Sequence, residues 1–359
     1  MKLPKLPKGA IRPRPAVVAM APYSPPTAGR TDKLRLDFNE NTVGCSPRVI
    51  AALRENLDAA RLAVYPEYGE AKEAVARYFN VAPEQFVFTN GTDEAIQVFV
   101  NAYVDDAQEV LLVRPSYAMY RFYAEVAGAR IKEIDYPQPS MEFPLQQVLD
   151  AITAETRAVI LANPNNPTGT GISLLAIERI LRKAHRAAVM VDEAYYEFAG
   201  VTALGEIERV PNLFVSRTFS KVFGMAAMRL GCLFSHAANV ALLHKAQSPY
   251  SVNSLAALAA QAAVEDTAYV ESYVAEALAA RELLCLGLEK LGIAYVPSSA
   301  NFVLGWFGRR AVEVRDALRG RGILVRDRSY EAAGAVRITV GTREQTRRLL
   351  AALEEIWKK

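Results

Sequence analysis

Short apolar segments alternate with helical patterns between about residues 50 and 235, and this alternation limits the fold of the chain more than any other feature. Together with one amphipathic run at residues 130–134, the segments predicted as strands lie at residues 86–89, 109–113, 158–162, 188–191 and 213–215. Continuously apolar strands that are separated by helices predict a mainly parallel sheet with helices on both faces. Ligands of such sheets bind beyond the carboxyl ends of the strands, so we expect the functional residues in the loops that follow them.

The last third of the chain predicts a smaller α/β unit. A helical region runs from residue 250 to about residue 291, which is too long for one straight helix with a single role. The elements predicted after it are a strand at 302–304, a helix at 312–318, strands at 323–326 and 335–340, and a terminal helix from Arg343. We expect these elements to form a second domain that packs against the first.

Composition and charge exclude several classes of protein. The 359 residues carry a net charge of only +3 with interleaved signs, which argues against a nucleic-acid partner. No apolar run reaches the roughly 18 residues of a membrane helix, and the basic, proline-containing N-terminus lacks the apolar core of an export signal. The scattered cysteines Cys45, Cys232 and Cys285 indicate neither a disulfide framework nor a metal site. We therefore expect a cytosolic protein without a metal ion.

A lysine in a hydroxyl- and glycine-rich segment is the first candidate for chemistry. Lys221 lies within residues 217–224, and Arg229 follows it eight residues later. An amine must lose its proton to attack an aldehyde, and a partly desolvated setting rich in cations lowers the pKa of a lysine. Ser220 and Arg229 can also hold a phosphate. Taken alone, however, a lysine beside a serine is more often part of a solvated turn, so the segment needs support from elsewhere.

Two loops at the ends of predicted strands also contain candidate functional residues. Residues 90–94 open a helix whose free N–H groups can hold a phosphate, although plain capping of the helix is the more common explanation for such residues. Residues 163–169 contain two prolines and a glycine, which restrict the backbone and aim the asparagine amides. A simple tight loop is the alternative there, but the density of such residues favours a functional loop.

A carboxylate and a phenol follow the fifth predicted strand. Asp192 ends that strand, and Tyr195 comes three residues later. A carboxylate at the end of a buried strand is costly unless it is paired with a cation. Lys221 comes 29 positions after Asp192, at the end of the next strand. These residue types match no metal site and no nucleophile triad, but they suit an aromatic, cationic cofactor that carries a phosphate.

Taken together, these segments resemble the fold-type I pyridoxal-phosphate aminotransferases, and most closely the histidinol-phosphate aminotransferases. The matching segments are residues 39–41, 65–66, 91–94, 115–120, 163–169, 192–195 and 220–221. The resemblance covers nearly the whole chain and implies an α/β fold whose large domain has a mainly parallel seven-stranded sheet. The domains that it implies are an N-terminal arm with part of the small domain at 1–45, a large cofactor-binding domain at 46–275, and a small C-terminal domain at 276–359.

The resemblance also implies roles in binding pyridoxal 5′-phosphate, with Lys221, Asp192 and Tyr195 as the catalytic residues. Lys221 would form the Schiff base and move the proton at the substrate α-carbon, while Asp192 would pair with the pyridine nitrogen. Asn166 and Tyr195 would bond the phenolic oxygen of the ring, and Tyr117 would stack on its face. The residues implied around the phosphate are Gly91, Thr92, Ser220, Arg229 and, from a second subunit, Tyr65, and Asp93 is implied as a further cofactor-binding residue. A site shared in this way implies a homodimer.

Arg337 matches the arginine that binds substrate carboxylates in these enzymes. The resemblance implies that it meets the phosphate of histidinol phosphate in one half-reaction and the carboxylates of glutamate and 2-oxoglutarate in the other. An exposed strand arginine is the alternative explanation. The other residues implied in substrate binding are Tyr23, Asn41, Asn301 and Arg326.

The activity implied by the resemblance is transamination of L-histidinol phosphate with 2-oxoglutarate, which gives imidazole acetol phosphate and glutamate in histidine biosynthesis. Two departures from the family leave the substrate open, because Thr42 stands where proline is usual and Ala227 where glycine is common. An aromatic aminotransferase acting on phenylalanine or tyrosine is therefore the runner-up. A lyase similar to threonine-phosphate decarboxylases is the third possibility on this scaffold.

Overall fold

The computed structural model describes residues 9–21 and 28–358, so Tyr23 lies outside the described residues. The strands are β1 (Leu34–Leu36), β2 (Phe86–Thr89), β3 (Glu109–Arg114), β4 (Arg130–Asp135), β5 (Thr156–Ala162), β6 (Ala188–Asp192), β7 (Leu213–Thr218), β8 (Gly231–Ser235), β9 (Tyr295–Val296), β10 (Phe302–Trp306), β11 (Ile323–Asp327) and β12 (Ala335–Thr339). The α-helices are α1 (Pro15–Ala19), α2 (Pro47–Asn56), α3 (Ala59–Leu62), α4 (Gly69–Phe79), α5 (Gly91–Tyr103), α6 (Ala118–Ala127), α7 (Leu145–Ala151), α8 (Leu174–Lys183), α9 (Tyr196–Ala199), α10 (Ala237–Ala246), α11 (Ser254–Val264), α12 (Thr267–Lys290), α13 (Ala311–Gly320) and α14 (Arg343–Trp357).

The larger sheet has seven strands in the order β2-β8-β7-β6-β5-β3-β4. The pairs from β4 through β3, β5 and β6 to β7 are parallel, whereas β8 runs antiparallel to both β2 and β7. This arrangement confirms the predicted α/β fold with a mainly parallel seven-stranded sheet. The sequence patterns do not single out β8, because its short run begins with glycine, which is depleted in strands, and holds only three apolar residues.

Helices cover both faces of the larger sheet, as the apolar strands predict. Helices α5, α6 and α10 pack on one face, and helices α2, α4, α7, α8 and α11 pack on the other. In β5, Ala158 and Ile160 belong to the first layer, and Val159 and Leu161 belong to the second. Successive side chains of a strand point to opposite faces, so a strand that is buried on both faces must be apolar throughout.

The smaller sheet has five strands in the order β1-β11-β12-β10-β9, and helices α12, α13 and α14 pack on it. β1 runs parallel to β11, and the other neighbouring strands are antiparallel. The sequence predicts β10, β11 and β12 but misses β1 and β9, because strands of three and two residues are too short to show a period. Through β1 the N-terminal segment becomes part of the sheet that the C-terminal segment builds.

The helical region after residue 250 consists of two helices, in agreement with the expectation that one straight helix would be too long. The side chain of Asn253 caps α11 by accepting a hydrogen bond from the backbone N–H of Ala256. Helix α12 then runs without a break through the predicted boundary between residues 275 and 276, and the domain limits remain a prediction. Within the described residues, no helix is both long enough and apolar enough to cross a membrane.

Candidate active site

A cavity of about 520 Å³ lies where the carboxyl ends of β5, β6 and β7 face the smaller sheet. The strands end there with Ala162, Asp192 and Thr218, and β11 and β12 contribute one arginine each. The predicted site residues that line the cavity are Thr92, Asp93, Tyr117, Asn166, Asp192, Tyr195, Ser220, Lys221, Arg229, Arg326 and Arg337. Residues from distant parts of the sequence therefore meet at the sheet edge where parallel α/β proteins bind ligands.

Lys221 lies three residues beyond the end of β7, and its Nζ donates a hydrogen bond of 3.0 Å to the carbonyl oxygen of Phe38. Burial, together with the nearby guanidinium of Arg337, lowers the pKa of Lys221 to about 8, against the opposing effect of the Glu40 and Asp93 carboxylates. A lysine with this pKa is largely protonated at neutral pH but releases its proton far more readily than an exposed lysine. Its amine is therefore poised for attack on a carbonyl carbon.

Asp192 ends β6, and its buried carboxylate accepts two hydrogen bonds from hydroxyl groups. The Tyr120 hydroxyl donates to Oδ2 at 2.6 Å, and the Ser216 hydroxyl donates to Oδ1 at 2.8 Å. Burial raises the pKa of Asp192 above its usual value, and these two hydrogen bonds oppose the rise. Among the residues that the structure describes, no cationic side chain forms an ion pair with Asp192. The carboxylate therefore lacks the cation that a buried negative charge requires.

An anion-binding corner lies at the start of helix α5. Gly91 has a φ of +74°, and a Cβ atom at this position would collide with the guanidinium of Arg229. Arg229 Nη2 lies 3.3 Å from Oδ2 of Asp93, whose Oδ1 accepts a hydrogen bond of 2.7 Å from the Tyr117 hydroxyl. The free N–H groups of the helix N-terminus, Arg229 and the nearby Ser220 form a set of donors that suits a phosphate.

Arg337 lines the cavity from the smaller sheet and is buried. Its Nη1 donates to Oδ1 of Asn166, and its Nη2 donates to the carbonyl oxygen of Asp37 at 2.5 Å. Burial, together with the charges of Arg328 and Arg326, lowers the pKa of Arg337 to about 10. Arg337 is therefore a buried cation inside the site and not the exposed strand arginine of the alternative explanation.

Residues 31–353 of the chain match the family described as aminotransferase class I and II. The chain is a class I and II aminotransferase. It is 37% identical to the histidinol-phosphate aminotransferase of Symbiobacterium thermophilum, and the match covers 95% of this chain and 97% of that protein. It is 38% identical to the histidinol-phosphate aminotransferase of a Geobacillus species, with 92% of each chain covered.

Solved structures agree with this membership. The chain superimposes on a histidinol-phosphate aminotransferase of Sinorhizobium meliloti, solved in complex with pyridoxal 5′-phosphate, with a TM-score of 0.87. The two sequences are 26% identical, and the match covers 98% of this aminotransferase and 99% of the other. Aminotransferases of class I and II use pyridoxal 5′-phosphate, so the cofactor follows from the family.

Some predicted site residues of the aminotransferase do not line the cavity. Asn41 accepts hydrogen bonds from the backbone N–H groups of Val43 and Gly44, and it donates to the carbonyl oxygen of Val222. Its amide is thus used within the protein, beside the turn that carries the reactive lysine, and its contact with substrate stays a prediction.

Two further predicted residues, Asn301 and Tyr65, also lie away from the cavity. Asn301 is buried and donates a hydrogen bond of 3.2 Å to the carbonyl oxygen of Asn39, and its role in substrate binding stays a prediction. Tyr65 is 74% exposed and stacks on the ring of Tyr250, with 4.4 Å between the ring centroids. Gly91 does not line the cavity, but its backbone lies against the guanidinium of Arg229, which does.

Other residues of the aminotransferase line or support the site although sequence reasoning missed them. Tyr120 comes three positions after Tyr117 on one face of α6, a spacing from which it could have been found. Ser216 lies beside Asp192 in the register of β6 and β7, which no sequence pattern reveals. Arg328 lines the cavity two residues after Arg326, and alternate residues of an extended chain point to the same side.

Proposed function

We propose that this aminotransferase transfers the amino group of L-histidinol phosphate to 2-oxoglutarate, with pyridoxal 5′-phosphate as its cofactor. The observation that carries the proposal is the division of the cavity into a cofactor end and a cationic substrate end. Lys221, Asp192 and Arg229 lie at the first, and Arg326 and Arg337 lie at the second. The products would be imidazole acetol phosphate and glutamate. The reaction would be a step of histidine biosynthesis.

The residues at the cofactor end fit pyridoxal 5′-phosphate. Asp192 has no cationic partner among the described residues, and a protonated pyridine nitrogen would supply one. The corner formed by the start of helix α5, Ser220 and Arg229 would hold the phosphate. Tyr117 would stack on the ring, and its hydrogen bond to Asp93 would fix the plane of the phenol.

When bound, the cofactor supplies a ring that accepts the electron pair left on the substrate α-carbon after proton removal. Lys221 would hold the cofactor through its Nζ and, once displaced by substrate, would carry the proton that leaves the α-carbon. Its pKa of about 8 suits this role, because a base near neutral pKa can both accept and return a proton. The Tyr195 hydroxyl accepts a hydrogen bond of 2.9 Å from Asn39 Nδ2, and it would bond the phenolic oxygen together with Asn166.

The substrate end explains how one site would accept two different molecules. Histidinol phosphate has a phosphate but no carboxylate, whereas glutamate and 2-oxoglutarate each have two carboxylates. Arg326 and Arg337 are register partners on β11 and β12, so their side chains emerge side by side. A guanidinium offers planar pairs of donors that match a carboxylate and a phosphate equally well.

We also propose a homodimer in the cytosol, in which Tyr65 reaches the phosphate of the partner's cofactor. Tyr65 is exposed and does not line the cavity of its own chain. Exposed apolar side chains are concentrated around it, which is the composition of a protein interface. These neighbours are Leu57, Leu62, Val64 and Tyr250.

The test is a single-turnover half-reaction with cofactor-loaded protein. Histidinol phosphate and phenylalanine are added separately, and the absorbance of the lysine-bound cofactor is followed as it converts to pyridoxamine phosphate. We expect fast conversion with histidinol phosphate and slow conversion with phenylalanine. Comparable or faster conversion with phenylalanine would assign an aromatic aminotransferase, and no conversion with either would point to the lyase.

A further inference from the structure

The substrate end of the cavity contains a third arginine, Arg328, one residue beyond the end of β11. Its backbone N–H donates to the carbonyl oxygen of Ala335 at 2.9 Å, so the chain there is still paired with β12. Arg326 and Arg328 are two residues apart and both line the cavity, together with Arg337. The wall therefore presents three guanidinium groups on neighbouring segments.

Arg328 is buried, and part of its hydrogen-bonding capacity is unused. It is 8% exposed, and its Nη2 forms an ion pair with Oε2 of Glu331, three residues later. The Nε–H groups of Arg328 and of Arg337 are both buried and have no acceptor among the described residues. An unsatisfied buried donor is costly, so neither guanidinium group is fully satisfied by the protein, and the accessible part of each group faces the cavity that it lines.

The charges at this end also indicate the ligand. Arg326, Arg328 and Arg337 face one carboxylate, Glu331, which leaves a surplus of two positive charges. The carboxylate of Glu40 also lines the cavity, but Arg30 binds it at 2.7 Å. A phosphate monoester carries close to two negative charges at neutral pH and has three acceptor oxygens. A dianion of this kind balances the surplus, whereas an amino acid with one carboxylate does not.

We propose that Arg328 is a specificity-determining residue that binds the phosphate monoester of the amino donor, and that Glu331 is the counter-ion it exchanges for that phosphate. The inference rests on the proposed function, since histidinol phosphate is the amino donor that carries such a group. In the protein without substrate, Glu331 partly neutralises Arg328. When the phosphate binds, its oxygens replace the Glu331 carboxylate as acceptors for the guanidinium of Arg328. The guanidinium groups of Arg326 and Arg337 donate to the same phosphate.

The experiment compares the variants Arg328→Gln, Glu331→Gln and Arg347→Gln in the cofactor-loaded enzyme. Arg347 is an exposed arginine of α14 and serves as the matched control. The measurements are kcat and KM for histidinol phosphate, for histidinol without phosphate and for phenylalanine, and the inhibition constant of inorganic phosphate. Arg328→Lys is included because it keeps the charge but loses the planar pair of donors.

We expect Arg328→Gln to raise KM for histidinol phosphate and the inhibition constant of phosphate by about tenfold or more, the effect of losing one hydrogen bond between charged groups. Both constants for histidinol, which carries no anionic group, should stay close to those of the Arg347→Gln control, and the loss with phenylalanine should be smaller than the loss with histidinol phosphate. Glu331→Gln should lower the inhibition constant of phosphate, because the competing carboxylate is gone. Arg328→Lys should restore part of the affinity.

Two results would overturn the inference. Equal losses with substrates that carry phosphate and substrates that lack it would mean that Arg328 only supports the fold. Unchanged phosphate constants in Arg328→Gln would mean that it does not touch the anion. If the unaltered enzyme fails to convert histidinol phosphate, the proposed function is wrong, and phosphate inhibition alone then decides the inference: weaker inhibition of Arg328→Gln supports the anion site, and equal inhibition rejects it.

Discussion

Burial shifts the pKa values of Lys221 and Asp192 in opposite directions, and each shift disfavours the charged form. The pKa of Lys221 falls to about 8, and that of Asp192 rises above its usual value. Neither group stabilises the fold in this state, since both would be better solvated at the surface. Such strain at the residue scale is expected where a site is built to receive a ligand that relieves it.

Replacing Lys221 with alanine should abolish turnover and the absorbance of the lysine-bound cofactor, because no other amine lines the described part of the cavity. Spectra and steady-state rates of the variant check this. Lys245→Ala, which removes an exposed lysine of α10, should leave both unchanged. Retained catalysis in Lys221→Ala would remove the central part of the proposed mechanism.

The shifted pKa of Lys221 should also make the stability of the cofactor-free protein depend on pH. In the folded state its pKa is about 8, and in the unfolded chain it is close to 10.5. Between these values the unfolded chain binds more protons, so the free energy of unfolding rises with pH.

Lys221→Met, which has no titratable group, should therefore be more stable than the unaltered protein by about 3 kcal/mol below pH 8, and this difference should shrink as the pH approaches 10. Urea denaturation of the two cofactor-free proteins across this pH range measures it. A difference that stays constant with pH would mean that the pKa of Lys221 is not lowered in the folded state.

At the scale of elements, the strand ends and two helices bring the reactive groups together. β6 and β7 are parallel neighbours in a register that pairs Asp192 with Ser216, so the carboxylate and the hydroxyl lie side by side. Helix α6 adds Tyr120 from outside the sheet, and helix α5 adds its N-terminus. The position of Asp192 therefore depends on how α6 packs on the sheet as well as on β6 itself.

Tyr120→Phe should weaken cofactor binding about tenfold, because the Asp192 carboxylate loses a hydrogen bond to a charged acceptor and its pKa rises further. Fluorescence titration of the cofactor-free protein with pyridoxal 5′-phosphate measures the dissociation constant. Tyr123→Phe removes another hydroxyl from the same helix and is the control. Equal constants for the two variants would show that Tyr120 does not act through Asp192.

The whole molecule builds the cavity from its two sheets. The larger sheet supplies the cofactor end, whereas β11, β12 and the loop between them supply the substrate end. The smaller sheet in turn needs β1, whose residues are almost 290 positions away from their partners in β11. Neither the N-terminal nor the C-terminal segment of the chain builds the substrate end of the cavity alone.

Val64→Glu should weaken the proposed dimer and, with it, the binding of the cofactor, because a charge replaces an apolar side chain that is 66% exposed beside Tyr65. Leu175→Glu is the control, since Leu175 is 65% exposed on α8 and lies outside that cluster. Sedimentation equilibrium measures the association, and fluorescence titration measures the cofactor. A dimer as stable as that of the control would place the interface elsewhere.

Sequence by itself determined the α/β class, the parallel sheet and the loops that carry Lys221, Asp192 and Asn166, because continuous apolar strands and rigid loops are local features of the chain. The resemblance of the motifs added the cofactor and the family. Only the tertiary structure decided that Asn41 binds the backbone, that Tyr120 supports Asp192 and that Arg328 joins the substrate end. These contacts depend on strand register and on packing between residues far apart in the chain, and no local pattern encodes either.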